Sequence, residues 1–241
     1  MKRYLLLSGC VILLGLQNAV AAELASGFGD NRYNISVAAE YSYNYTWRSM
    51  GNIDVLTTVP INKNFEVQAQ MQYSSANVFT MAATMRPKFP LKVGEIFIDT
   101  EILYKAVIRN RQHDASVAIS LGYRFDYLSF QFGWHGRVMT PFNIDWQSQE
   151  THMVEPFNIL YRIEVFCRPQ ACNWNISACL SDFDEFQIER MHQLIFRLGG
   201  RYDINNNWRV MLTAQCKPTG MFHLTASFYS ATVRAGFTYK F

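Results

Sequence analysis

Apolar and polar residues alternate one by one over long segments from Tyr33 onward, and this pattern constrains the fold more than any other feature of the chain. A period of two residues indicates β-strands whose two faces differ in chemistry. The first segment is the clearest, and its apolar face holds Ile35, Val37, Ala39, Tyr41, Tyr43, Tyr45 and Trp47. The pattern therefore predicts an all-β fold.

Two properties of these segments favour a membrane-spanning sheet over a soluble sandwich, whose apolar faces would point inward. The segments run for about ten to fifteen residues, against about 5–6 in ordinary strands and about 9–11 in membrane-spanning ones. Tyr and Trp also gather near segment ends, as at Tyr73, Tyr123, Trp134 and Trp208, and amphipathic rings favour the headgroup level there. Because only a closed barrel satisfies backbone polar groups in lipid without helices, the sequence predicts a transmembrane antiparallel up-and-down β-barrel.

The turns give an expected strand count of twelve. The predicted strands are 33–47, 52–61, 64–74, 77–86, 95–109, 114–125, 127–138, 152–166, 173–180, 189–202, 207–217 and 221–241. Tight connections at 62–64, 125–127 and 203–207 would lie at one end of the barrel, and the long connection 140–151 at the other. Counts of ten or fourteen stay open, because 77–93 and 173–188 are weakly patterned.

The N-terminus has the pattern of an export signal. Lys2 and Arg3 precede an apolar run from Tyr4 to Leu16, and small residues at 20–22 suit cleavage before Glu23. The run is shorter than the ~20 residues of a spanning helix, which argues against an anchor. We predict a signal peptide at 1–22 and one barrel domain at 23–241, with 20 basic and 19 acidic residues left, a balance that gives no indication of a nucleic-acid partner.

The last segment alternates up to an aromatic C-terminal residue, with Val233, Ala235, Phe237, Tyr239 and Phe241 on one face. It resembles the assembly signal of Gram-negative outer-membrane β-barrels. The resemblance implies a location in the bacterial outer membrane, contact with outer-membrane lipid and lipopolysaccharide, and recognition of the last strand by the barrel-assembly machinery. Val233, Phe237, Tyr239 and Phe241 are the residues assigned to that signal. No subfamily is indicated.

If the apolar faces meet lipid, the opposite faces line the lumen. The charged residues expected there are Glu40, Glu66, Asp99, Glu101, Lys105, Arg124, Arg162, Glu164, Arg197, Arg201, Arg209 and Arg234. They would line an aqueous channel that steers charged solutes, or pair across a filled or strongly constricted interior, the arrangement we favour. Arg162 with Glu164, and Asp99 with Glu101 and Lys105, are candidate members of such a network across the interior. The basic excess on the late strands hints at anionic solutes.

Three functions are compatible with these features. The first is a passive channel or binding barrel for small polar or anionic solutes, and the second is a closed structural or surface-interaction protein. The third, a lipid-modifying enzyme, would need a nucleophile beside a histidine base. His223 has Thr225 where an outer-membrane phospholipase would have serine, and no orienting partner is evident. We therefore expect no enzymatic activity, no cofactor and no metal site.

Four cysteines lie beyond the predicted signal peptide. Cys167 and Cys172 flank a short turn and are candidates for a disulfide in an oxidising compartment. Cys179 and Cys216 are expected to point to opposite sides of the sheet, so a bond between them is not expected. The predicted outer loops at 140–151 and 181–186 mix acidic and aromatic residues, and are candidates for binding a sugar, an ion or lipopolysaccharide, or for solvated caps.

Overall fold

The computed structural model describes residues 32–44, 48–108, 111–141, 153–167, 172–182, 194–219 and 227–241. They form twelve strands, as predicted: β1 Asn34–Asn44, β2 Arg48–Asn62, β3 Phe65–Ser74, β4 Val78–Pro90, β5 Glu95–Val107, β6 Gln112–Arg124, β7 Leu128–Pro141, β8 Met153–Cys167, β9 Trp174–Ser181, β10 Ile195–Asp203, β11 Trp208–Thr219 and β12 Ser227–Lys240. The proposed signal peptide at 1–22 and most of both outer loops lie outside the described residues.

The strands form one closed antiparallel barrel in which each strand pairs with its sequence neighbours and β12 pairs with β1. The closing pair runs in register from Asn34 opposite Lys240 to Asn44 opposite Ser230. Beyond the ladder, the backbone N–H of Phe241 donates to the Tyr33 carbonyl at 2.9 Å. We call the end that holds Tyr33 and Phe241 the terminal end, and the opposite end the loop end.

The apolar faces of the strands point outward. Phe132 on β7 is 61% exposed, whereas Arg162 on β8 is 5% exposed. The same inversion holds around the barrel, since most charged strand residues are buried while aliphatic residues such as Ile53, Leu121 and Leu198 are exposed. A soluble sandwich would show the reverse, so the lipid-facing arrangement predicted from the alternation is confirmed.

Aromatic rings form bands on the outer surface. At the terminal end, Trp208 and Tyr239 have ring centroids 5.0 Å apart, and Tyr239 and Phe241 have theirs 4.9 Å apart. Tyr43 and Tyr73 are exposed toward the loop end. Two aromatic bands separated by an aliphatic surface match the girdles of a transmembrane barrel. Among the described residues, no helix is long and apolar enough to cross a membrane.

Within the described residues, the strand bounds differ from the predicted ones most at β2 and β4. The predicted starts of β10 and β12, at residues 189 and 221, lie outside the described residues. β2 begins at Arg48 rather than at residue 52, because β1 and β2 form a ladder up to Asn44 opposite Arg48. β4 extends to Pro90 instead of ending at residue 86, and its last residues pair with the start of β5. Sequence alternation is interrupted at both places, whereas backbone pairing continues.

Candidate functional site

The candidate site is the polar inner wall of the barrel. All twelve charged residues assigned to the lumen from the sequence lie on the inward-facing positions of their strands. Glu101 is half-buried and the other eleven are buried. Most of their side chains belong to several clusters, in which the ion pairs join residues of different strands.

The largest cluster lies toward the terminal end, around Arg86 of β4. The Nε and Nη2 atoms of Arg86 donate to the two carboxylate oxygens of Asp99 on β5 at 2.5 and 2.7 Å. Its Nη1 atom donates to Glu66 of β3 at 3.2 Å, and Glu66 also accepts a hydrogen bond from Lys88. Such bidentate, charge-assisted bonds fix both side chains. This part of the wall is therefore a rigid ion-pair network.

An aromatic ring lies within this network. Phe97 of β5 points inward, and none of its surface is exposed. The guanidinium carbons of Arg86 and Arg124 lie 5.2 and 5.1 Å from its ring centroid, within the range of cation–π attraction. The ring lies over Gly122, its partner on β6, where an added Cβ would overlap it. The glycine thus provides the room in which an aromatic side chain can lie across the neighbouring strand.

Amide side chains extend the network along the wall. Gln131 of β7 donates from Nε2 to Asp99 at 2.8 Å and to Ser120 at 2.6 Å. Its Oε1 atom accepts from Arg162 of β8 at 3.4 Å. Hydrogen bonds therefore connect β3 with β8 along one side of the lumen.

A second cluster lies near the loop end. Asp114 of β6 accepts two hydrogen bonds from Arg137 of β7, at 2.9 and 2.7 Å. Lys105 of β5 lies opposite Asp114 in the strand register, and the Nζ atom of this lysine is 3.5 Å from the Asp114 carboxylate. Asp114 therefore balances two cations.

A third cluster spans the closure between β12 and β1. Arg234 of β12 forms an ion pair with Asp54 of β2. On β1, which lies between these strands, Glu40 is directly opposite Arg234. Asp54 also accepts from Gln70 at 2.7 Å, and Glu40 accepts from Asn52. Arg234 is 2% exposed and Asp54 is not exposed at all. Both charges of this pair are thus removed from solvent.

Arg162 and Glu164, which are expected from the sequence to belong to a network across the interior, contact residues of other strands. Arg162 bonds to Gln131, and Glu164 has its carboxylate 3.8 Å from Arg197 of β10. Neighbours on the same face of one strand are two residues apart, whereas directly opposite residues on adjacent strands are closer, at about 4.5–5.5 Å between Cβ atoms. Cross-strand partners form these two contacts, whereas on β3 the same-face neighbour Gln68 donates to Glu66 at 3.0 Å.

Charge is unevenly distributed around the lumen. Among the side chains that the structure describes, inward-facing positions of β1–β6 hold seven carboxylates and four basic groups, while those of β9–β12 hold one carboxylate and six basic groups. The six basic groups are Arg197, Arg201, Arg209, Lys217, Arg234 and Lys240. One wall is therefore negative and the facing wall positive, and the low-dielectric barrel enhances the resulting field across the lumen.

Sequence reasoning missed several members of these clusters. Arg86, Asp54, Asp114 and Arg137 were not assigned to the lumen, although each has the inward parity of its strand. Arg86 and Asp114 lie at or near predicted strand ends, where parity is least certain. Phe97 was missed because the alternation assigns aromatic residues to lipid.

The cysteines and histidines do not form a site in the described part of the chain. Cys167 and Cys172 are exposed free thiols, so the structure does not contain the candidate disulfide between them. Cys179 is buried and Cys216 exposed, in agreement with their predicted opposite directions. His113 is hydrogen-bonded to Tyr104, His135 is buried, and His223 lies outside the described residues. No cluster of three or more potential metal ligands occurs among the described residues.

The residues assigned to the C-terminal assembly signal lie on the outer face of β12. Val233, Phe237 and Phe241 are exposed, and Tyr239 is half-buried between Trp208 and Phe241. The arrangement presents a continuous apolar strip along the last strand.

Comparison with known proteins finds structural likeness without sequence likeness. No family model and no curated protein sequence matches the chain. The KdgM porin, solved in complex with disordered oligogalacturonate, has 9% identity and a TM-score of 0.57 over 86% of this chain and 99% of that one. The translocator domain of the autotransporter NalP from Neisseria meningitidis has 10% identity and a TM-score of 0.56 over 90% of both chains. The COG4313 outer membrane channel from Pseudomonas putida F1 has 7% identity and a TM-score of 0.52 over 92% of this chain and all of that one.

At such identities the likeness shows the fold alone. A closed twelve-strand barrel with an apolar exterior, two aromatic girdles and a charged interior is a bacterial outer-membrane β-barrel.

Proposed function

We propose that the protein is a narrow outer-membrane channel that prefers small anionic solutes. The uneven charge of the inner wall carries this proposal, because the six basic groups of β9–β12 face the lumen with one carboxylate among them. A positive wall lowers the free energy of an anion in the lumen relative to a cation of the same size. The KdgM porin, which shares the fold, was solved with an anionic oligosaccharide and offers a precedent.

The close packing of the interior sets the expected conductance. Arg86, Arg234 and Phe97 are at most 2% exposed, so inward side chains from many strands fill much of the cross-section. We therefore expect small single-channel steps in planar bilayers. In a potassium chloride gradient, the sign of the reversal potential should correspond to a chloride permeability above that of potassium. A potassium preference would contradict the proposed selectivity.

Cys179 allows a second test, since its thiol lies inside the barrel between its register partners Glu164 and Arg197. In a variant that keeps only this cysteine, an anionic methanethiosulfonate reagent should react several times faster than a cationic one of equal size. The matched control keeps only Cys216, which faces outward and should show no such charge preference. Equal rates at Cys179 would argue against a positive lumen.

The same near-complete burial also favours a second candidate, a closed barrel with a structural or surface-interaction role. In that case bilayers would stay silent and Cys179 would react only after unfolding. Both candidates include assembly through the aromatic last strand and contact of the girdles with outer-membrane lipid and lipopolysaccharide. Neither assigns a chemical reaction to the barrel.

A further inference from the structure

Arg201 differs from the other lumen cations in having no partner among the residues that the structure describes. It lies on β10, two residues from the terminal end of that strand, and is 7% exposed. Its register partners are Asn175 of β9 and Met211 of β11. Within the described part of the chain, no hydrogen bond or ion pair involves its guanidinium group, and its Nη1 atom is fully buried.

The nearest carboxylates are already engaged by other cations. Glu164 and Asp203 lie within electrostatic range of Arg201, as do the like-charged Arg209 and Arg124. Asp203 accepts from Arg209 at 2.7 Å and from Lys240 at 3.0 Å. Glu164 faces Arg197 at 3.8 Å. Arg201 is therefore a buried cation in surroundings that are already positive.

A buried charge without a partner is costly, often by several kcal/mol, and such costs are commonly found at sites of function. A guanidinium also offers paired N–H groups in a plane, which match the oxygen atoms of a carboxylate or phosphate. A single bound oxyanion would satisfy the buried Nη1 atom. The same anion would reduce the repulsion among Arg201, Arg209 and Arg124.

We propose that Arg201 is the main group of an anion-binding subsite at the terminal end of the lumen. The subsite takes one compact oxyanion, the carboxylate or phosphate group of a small solute, with Arg209 and Arg124 adding positive potential. This inference deepens the proposed anion channel and rests on it for its biological meaning. Binding itself is measurable whether or not the barrel conducts.

The test measures binding by thermal stabilisation of the full chain in detergent. Inorganic phosphate and succinate are titrated separately at constant ionic strength, and the unfolding temperature is followed by heat-modifiable gel migration. One or both probes should stabilise the wild-type barrel, and which one does so distinguishes phosphate from carboxylate as the preferred group. In Arg201→Gln the dissociation constant should rise about tenfold or more, as expected when a charged hydrogen bond is lost.

Two further measurements separate binding from a merely structural role. Without probe, Arg201→Gln should be at least as heat-stable as the wild type, because it removes an unpaired buried charge. The control Arg137→Gln alters a lumen arginine held by Asp114 near the loop end and should leave probe affinity unchanged. An Arg201→Gln barrel that binds as tightly as the wild type, or a wild type that neither probe stabilises, would overturn the subsite.

The outcomes also separate this inference from the channel itself. Silent bilayers together with Arg201-dependent stabilisation would remove the channel and leave the subsite standing. Anion-selective current without Arg201-dependent binding would do the opposite.

Discussion

Replacing Gly122 with alanine is expected to destabilise the barrel by about 1–3 kcal/mol, the usual range for overpacking a filled interior. The added Cβ would overlap the Phe97 ring, which Arg86 and Arg124 hold in place. Urea unfolding in detergent, followed by tryptophan fluorescence, measures the change in the free energy of unfolding. The ring would have to leave its position between the guanidinium groups, so the ion pairs of Arg86 should weaken as well.

Gly200 provides the matched control. It is also a strand glycine, but a Cβ added there would lie 4.0 Å from its nearest neighbour, the Leu212 carbonyl oxygen. Gly200→Ala should therefore be neutral or slightly stabilising. In a Phe97→Ala background the cost of Gly122→Ala should vanish, because the clash is gone. A cost that persists without the ring would show that another feature of the strand requires the glycine.

Replacing Arg234 with methionine is expected to lower stability by about 3–5 kcal/mol, as removal of one partner from a buried ion pair usually does. Asp54 would be left without its cation, although it keeps the hydrogen bond from Gln70, and Glu40 would lose its opposite charge. The same urea titration measures the effect.

The double variant Arg234→Met, Asp54→Leu should recover part of the loss, because a buried ion pair can be replaced by apolar groups at little cost. As a comparison, Lys63→Met changes an exposed lysine in the turn after β2 and should shift stability by no more than about 0.5 kcal/mol. If the free energy of unfolding of Arg234→Met were within about 1 kcal/mol of the wild-type value, the Arg234–Asp54 pair would not stabilise the closure as proposed.

The fold could be predicted from the sequence because each strand of a transmembrane barrel has lipid on one face and the lumen on the other. Apolar and polar residues therefore alternate along the strand with a period of two. Runs such as that from Ile35 to Trp47 gave the strands and their lipid side, and turn positions gave their number. The same alternation placed Arg162, Arg201 and Arg234 inside. It could not show the partners of Arg162 and Arg234, because those depend on the register between strands.

The candidate site was less predictable for a related reason. Arg86 bonds to Asp99 on the next strand, and Arg234 pairs with Asp54 on a strand far away in sequence. The alternation within one strand encodes neither contact. Phe97 contradicts the binary pattern outright, and only its position opposite Gly122 explains how the ring fits. Within the described part of the chain, the lack of a partner for Arg201 likewise becomes visible only when every neighbouring carboxylate has been assigned.

The opposition of Glu40 and Arg234 also bears on how the sheet closes on itself. Before the first and last strands meet, one free edge carries an acidic group and the other a basic one. A slip of two residues would set Glu40 against Thr232 or Gly236 and leave the arginine facing an uncharged neighbour. Charge thus favours the observed alignment of the two edges over its two-residue neighbours.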